Sequence, residues 1–253
     1  MGKSSCRVFD QLVKEAKEDP NIIGFFLSGS RGKNRHTMQS DYDIEVVTKD
    51  SVQKIYKEKY KQKNIEGFEF CVFSISEFRR HAEIGTDYDW DRASYTHLKP
   101  VVDKTGEIQK LISEKGKIPK DRIKKSVSRS LDAYINYVYR SLKCFRDGNI
   151  VGARLEAART VNCLLDTVFA LDCRVTPYYK YLEWELDEWP LKKFKISSKD
   201  LIKDILLILE SGDAKSQQKL FVLVEKVLRK EGYEPVFDAW RKEQTGFIKT
   251  FKV

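Results

Sequence analysis

The chain lacks most of the features that assign a protein at a glance. No stretch of its 253 residues approaches the ~18 consecutive apolar residues of a membrane span, and its apolar runs are as short as Phe25-Phe26-Leu27. No membrane role is expected. The first residues, Met1-Gly2-Lys3-Ser4-Ser5-Cys6, lack the apolar core of a secretory signal, and Cys6 stands where a myristoylation signal takes Ser or Thr. Neither export nor a lipid anchor is expected. The five cysteines, Cys6, Cys71, Cys144, Cys163 and Cys173, are odd in number and never form Cys-x-x-Cys. They read as reduced, structural thiols of a cytoplasmic protein, not as disulfides or a zinc site. His36, His81 and His97 show no ligand spacing and are assigned no chemistry. There is no repeat at a fixed period, no low-complexity tract and no recognisable RNA-reading motif.

What is present is enough to fold. A hydrophobic fraction of 41% supports real cores despite 34% charged residues, which excludes disorder and collagen-like repetition. The length favours two compact units over one. Lys and Arg total 47 against 38 Asp and Glu, a net charge of +9. Residues 1–116 hold 20 basic and 19 acidic residues, so the remainder carries the surplus, net +8. The pattern changes at Lys115-Gly116-Lys117-Ile118-Pro119, where Gly and Pro punctuate the chain. The boundary is therefore set between 116 and 117.

Residues 1–116 alternate elements. Ser5 is a candidate cap for a helix carrying Val8, Leu12, Val13 and Ala16, ended by Pro20. Residues 22–27, 41–48 and 68–74 read as strands. Between the last two, residues 49–63 read as a charged, solvated helix. Ser74-Ile75-Ser76-Glu77 has the spacing of a capping box, opening a helix towards Ile84. A further strand at 100–102 and a helix at 107–114 complete this part. From Pro119 the pattern is helical: Val127, Leu131, Tyr134, Val138, Leu142 and Phe145 draw one apolar stripe. Leu155, Ala158, Val161, Leu165, Val168 and Leu171 draw a second. A third helix starts at Ser197 or Ser198, carries Leu201, Ile205, Ile208 and Leu209, and stops at Gly212. A fourth carries Leu220 to Leu228 and stops at Gly232, and a short fifth surrounds 236–240. This is a helical bundle.

One segment carries chemistry. The strand ending Phe26-Leu27-Ser28-Gly29-Ser30-Arg31 leads into a turn that lets an anion approach the backbone closely, because Gly29 has no side chain. On the next strand, Asp41 and Asp43 are two apart, so both project from one face, roughly 6.6 Å apart along it. Such a pair repels unless a cation lies between. Mg²⁺ is commonly held by one or two carboxylates plus substrate phosphates, so a phosphate turn beside Asp-x-Asp fits a metal–triphosphate complex. A third carboxylate is expected alongside. Glu69, which interrupts an apolar strand, is the candidate, with Glu45 in reserve.

Gly29-Ser30, the ten residues that follow and then Asp41-Tyr42-Asp43-Ile44 resemble the signature of the DNA polymerase β-type nucleotidyltransferase superfamily. The order of domains resembles its aminoglycoside and lincosamide nucleotidyltransferase branch. The resemblance implies an α+β protein: an N-terminal nucleotidyltransferase domain over 1–116, a mixed sheet with flanking helices, then an all-α bundle over 117–253 that contributes to substrate binding. It implies that Ser28, Gly29, Ser30 and Arg31 contact the nucleotide, with Arg31 suited to bidentate phosphate contact. Asp41, Asp43 and Glu69 would be catalytic and hold Mg²⁺, two ions being expected, with Glu69 either ligand or base. The implied reaction moves a nucleoside monophosphate, AMP from ATP or its counterpart from another NTP, to a hydroxyl of a small-molecule acceptor with release of pyrophosphate. RNA or protein acceptors, or a non-catalytic nucleotide-binding regulatory module of the same fold, are the alternatives. Tyr42 departs from the usual smaller aliphatic residue.

Other features read two ways. Arg31, Lys33 and Arg35 suit either nucleotide contact or a surface loop. Asp87, Asp89 and Asp91 alternate like ligands but read as a solvated loop. The aromatic and acidic segment 178–190 would either line an acceptor pocket or pack the bundle. Arg154 and Arg159 would either face an active-site cleft or snorkel at the surface, and the basic run 117–129 reads as a charged helix start.

Overall fold

The computed structural model describes residues 3–252, so the leading Met1-Gly2 of the signal reading lies outside it. The chain divides into two compact units, Met1–Lys117 and Ile118–Val253. Among the described residues no helix is long and apolar enough to cross a membrane.

The first unit is built on a four-stranded mixed sheet. Its elements run α1 (Lys3–Glu18), β1 (Ile22–Leu27), the short α2 (Gly29–Gly32), β2 (Tyr42–Thr48), α3 (Gln53–Lys61), β3 (Phe68–Ser74), α4 (Ile75–Arg80), β4 (Val102–Asp103) and α5 (Glu107–Lys115). The strand order is β3-β2-β1-β4, with β1 antiparallel to both neighbours and β2 parallel to β3. Period-two alternation sends Phe25, Ile44, Val46, Phe68 and Val72 to one face, where Leu12 and Ala16 of α1 and Tyr56 and Tyr60 of α3 cover them. Phe26, Val47 and Phe73 face the other way, onto Phe78 of α4, Tyr95, and Ile108 and Ile112 of α5. The Ser74–Glu77 capping box is formed in both directions at 3.1 Å.

Several expectations are corrected. Ser5 lies inside α1, not at its cap. The 49–63 helix is shorter and is not merely solvated, since Tyr56 and Tyr60 are buried against the sheet. The helix after Ser74 stops at Arg80 instead of running to Ile84. Asp87, Tyr88, Asp89 and Trp90 are exposed, as the solvated-loop reading expects, but Asp91 is half-buried and the 3-10 segment Asp89–Tyr95 buries Arg92, Ala93 and Tyr95.

The second unit is helical throughout: α6 (Lys120–Arg146), α7 (Ile150–Leu171), α8 (Leu182–Glu188), α9 (Ser198–Ser211), α10 (Ala214–Lys230), α11 (Glu234–Asp238) and α12 (Lys242–Thr250). The α6 stripe packs as its spacing predicts, with Val127, Leu131, Tyr134, Val138 and Leu142 buried in one core with α7, α9 and α10. Ser197 caps α9 by accepting from the Asp200 N–H, and Gly212 ends it in the left-handed region, φ +73°. Two positions break the expected stripes: Leu155 on α7 and Leu209 on α9 are exposed, while Val161, Leu165, Val168 and Leu171 of the α7 stripe are buried as expected, joined by Ala153, Ala157 and Leu164. Packing on two sides of α7 turns its apolar stripe relative to the one its largest residues draw.

Candidate active site

The expected residues converge on one end of the sheet, where β1 ends and β2 and β3 begin. Antiparallel pairing brings the exit of β1 beside the entry of β2, and Ser28 is fastened there by its N–H to the Asp43 carbonyl at 2.9 Å. Gly29 follows with φ +56°, a conformation that an L side chain adopts only under strain. A Cβ at this position would overlap the Asp43 carboxylate. Glycine is thus required twice, for the turn and for the close approach, and the turn is seated directly on the acid. Asp41 stands one residue before β2 and Asp43 within it. In the parallel ladder Asp43 pairs with Glu69 and Glu45 with Cys71, so Asp43, Glu45 and Glu69 lie on the same face of adjacent strands.

These acids are in different surroundings. Asp41 and Glu69 are exposed and Asp43 is half-buried. Glu45 is buried, and burial first, with the nearby Asp91 and Asp43 adding to it, pushes its carboxyl up to about 8 against hydrogen bonds from Tyr95 and Ser28. Tyr95 Oη donates to Glu45 Oε2 at 3.2 Å. Glu45 therefore reads as a support beneath the site. Asp41, Asp43 and Glu69 offer only carboxylate oxygens, the donors that Mg²⁺ takes. Among the described residues no three His, Cys, Asp or Glu side chains are gathered closely enough to ligate a metal by themselves.

Arg31 is engaged with the backbone of the segment that carries the first aspartate. Its Nε donates to the carbonyls of Ser40 and Asp41 at 3.1 and 3.0 Å, and Nη2 to Ser40 at 2.8 Å. The guanidinium lies 3.8 Å from the centre of the Tyr42 ring, which itself stacks on Phe68 at 4.5 Å. The unusual aromatic between the two aspartates is thereby explained: it is the platform on which Arg31 holds the segment that presents Asp41.

Lys33 corrects the surface-loop reading more sharply. It is buried, and its Nζ donates to the carbonyls of Ala93 and Thr96 at 3.2 and 2.5 Å and to Thr96 Oγ1 at 2.7 Å. It ties the end of the glycine turn to the 3-10 segment. Two more buried cations hold that region through carbonyls. Arg92 reaches Ala82, Glu114 and Lys117, and Lys115 reaches Arg79 and His81. No periodicity marks these three in the sequence, because a single lysine or arginine in a loop carries no pattern. Asp91 and His81, given no role from sequence, are paired at 2.7 Å. Arg35 and His36 are exposed.

In the helical unit the segment 178–190 packs: Tyr181, Leu182 and Leu186 are buried, and Glu185 is paired with Arg174 at 2.7 Å. Glu183 and Asp187 flank a shallow cavity of about 360 Å³ against α9. Arg154 and Arg159 are exposed, the latter over the Tyr137 ring at 4.2 Å, and the cations of the 117–129 run are exposed as well.

A glycine turn seated on an Asp-x-Asp strand of a mixed sheet is the arrangement that the resemblance to the nucleotidyltransferases implies. Residues 9–132, from α1 into α6, match the nucleotidyltransferase domain family. The chain therefore carries a nucleotidyltransferase domain. A nucleotidyltransferase-like protein from Exiguobacterium sibiricum is structurally similar, with 13% sequence identity over 97% of this chain and 87% of that one and a TM-score of 0.42. No curated protein matches the chain.

Proposed function

We propose that the protein transfers a nucleoside monophosphate from an NTP, AMP from ATP in the simplest case, to a hydroxyl of a small acceptor. The observation that carries this reading is Gly29 seated against Asp43, which sets the Gly29-Ser30 turn directly beside a carboxylate face. The acceptor oxygen bonds to the α-phosphorus, the α–β bridging bond breaks, and pyrophosphate leaves while the hydroxyl proton passes to a carboxylate or water. Asp41 and Asp43 would hold Mg²⁺, with Glu69 as a further ligand or as base. When bound, the ion supplies positive charge against the triphosphate. Ser28, Gly29 and Ser30 receive the phosphates, and Arg31 acts through Asp41 by fixing the chain on which it stands.

The test is NTP-dependent pyrophosphate release. Asp41→Asn and Asp43→Asn keep the shape and remove the charge, so each is expected to lower the rate at least a hundredfold. Unchanged release in both would sink the proposal.

A further inference from the structure

A groove of about 920 Å³ runs along the free edge of β3, between α3 and the segment after α4. That volume suits one small molecule, for which sites of roughly 300–1,000 Å³ are usual. Cys71 and Phe73 line it, and they share a face of β3 with Glu69. The groove therefore begins about 6.6 Å along the strand from the third carboxylate of the candidate site. Its walls are aromatic on both sides of the strand edge. Tyr60 and Phe70 meet at 5.1 Å on one side; Phe73 meets His81 at 4.9 Å, and His81 meets Tyr88 at 5.4 Å, on the other. His81 is held in place by Asp91, and Tyr88 is 57% exposed.

The charged groups around it divide unevenly. Lys57 is offset by Glu77 at 3.6 Å, and Glu77 is further engaged in capping α4 and in accepting from Gln53 at 2.8 Å. That leaves Lys61, Arg80 and Asp87 in the lining, all three exposed and without an ion-pair partner among the described residues. The surplus is cationic, one elementary charge before any contribution from His81.

We infer that this groove holds the acceptor of the transfer, and that the acceptor is a small molecule with a ring and an anionic group. The ring lies between the aromatic walls, the anion meets Lys61 and Arg80, and a hydroxyl extends past Cys71 towards Glu69. The inference rests on the nucleotidyl-transfer reading for its chemistry and on the groove alone for its binding. In the step itself the acceptor oxygen gains the bond to the α-phosphorus that pyrophosphate loses, and the hydroxyl proton leaves to a carboxylate or water. A polycation is disfavoured by the same two charges. A nucleic acid would be read over several successive stacked bases, and this bounded groove takes one ring-bearing molecule.

Two experiments test it. First, 1-anilinonaphthalene-8-sulfonate, a flat anion, is titrated into the full chain without NTP and followed by fluorescence. Saturable binding is expected, weakened about tenfold by Lys61→Glu with Arg80→Glu, which removes the charge-assisted contact, and weakened also by Tyr88→Ala, which removes one aromatic wall. These side chains are exposed, and circular dichroism checks that the fold is kept. Equal binding by all variants overturns the groove. Second, pyrophosphate release is measured over acceptors matched in ring structure and differing in charge. Anionic members are expected to turn over, with KM for them raised about tenfold by the charge reversal and KM for the NTP unmoved. Turnover of polycations or RNA alone overturns the inference. The two readings fail separately: release that survives Asp43→Asn removes the transfer chemistry, whereas release that is lost there but indifferent to Lys61 and Arg80 removes only the groove.

Discussion

The two units bury charge in opposite ways. In the helical unit the buried acids are Glu185 and Asp204, and each faces a cation, Arg174 at 2.7 Å and Lys219 at 2.7 Å. In the α/β unit Lys33, Arg92 and Lys115 are buried with main-chain carbonyls as their hydrogen-bond acceptors, and Glu45 lies under the candidate site with a tyrosine donor. Asp204–Lys219 fastens α9 to α10, and Glu185–Arg174 fastens α8 to the segment after α7. A cation that gathers carbonyls fastens loops, which have no ladder of their own to fix them. The α/β unit needs this because its candidate site is built from a turn and strand ends, whereas the bundle is held by aliphatic stripes.

The comparison can be broken from either side. Its largest expected effect is in the bundle: Leu131→Ala removes a fully buried side chain from the α6 stripe and is expected to lower the unfolding free energy by about 2–5 kcal/mol in denaturant titration. Next comes Gly29→Ala, which meets both the positive φ and the Asp43 carboxylate. It should cut pyrophosphate release about a hundredfold, since displacement of roughly 1 Å at a reacting site can cost that much. Wild-type rates in this variant would show that the turn is not part of the site.

Lys33→Met is expected to cost about 1–3 kcal/mol by removing the buried donor to the Thr96 carbonyl, the Ala93 carbonyl keeping Thr96 Oγ1 as a donor. It should also slow pyrophosphate release, because the glycine turn loses its tie to the 3-10 segment. A stability loss with wild-type rates would make Lys33 a fold residue alone. In the bundle, Gly212→Ala should cost about 1–2 kcal/mol from the left-handed backbone, with its Cβ 3.0 Å from the Phe145 ring.

The smallest effect is on pH dependence. Burial, with Arg92 nearby, pushes Lys115 down to about 8 from an ordinary value near 10.4. Between those values the unfolded chain carries the proton that the folded chain has released, so this group makes stability rise with pH from about 8 to about 10. Lys115→Met should flatten that rise relative to wild type in paired thermal melts. An identical slope in both proteins would show that the lysine is not shifted.

The strands were legible because each buries a face at period two: residues 22–27 and 68–74 form strands at those bounds, and β2 differs from its expected start by one residue. The capping box was legible because its two hydrogen bonds are local. So was the turn-and-aspartate signature, which lies in one stretch of sequence. The α7 stripe was legible from Val161 to Leu171 but misread at its start, where Leu155 looks like core while the small Ala153 and Ala157 are the residues that pack. The α8 and α12 helices went unread, being short and held by neighbours instead of by their own periodicity.

What the sequence determined, then, is whatever neighbouring residues decide among themselves: strand faces, the α6 stripe, the helix stops at Gly212 and Gly232, and a glycine placed before two aspartates. Only the tertiary structure decided the partners. It set Arg31 over Tyr42, sank Lys33 beneath the turn, and laid Glu69 beside Asp43. It also opened the groove where β3 has no further strand. Each of these depends on groups far apart in the chain, up to 63 positions for Lys33 and Thr96, and no local pattern records which carbonyl a buried cation will find.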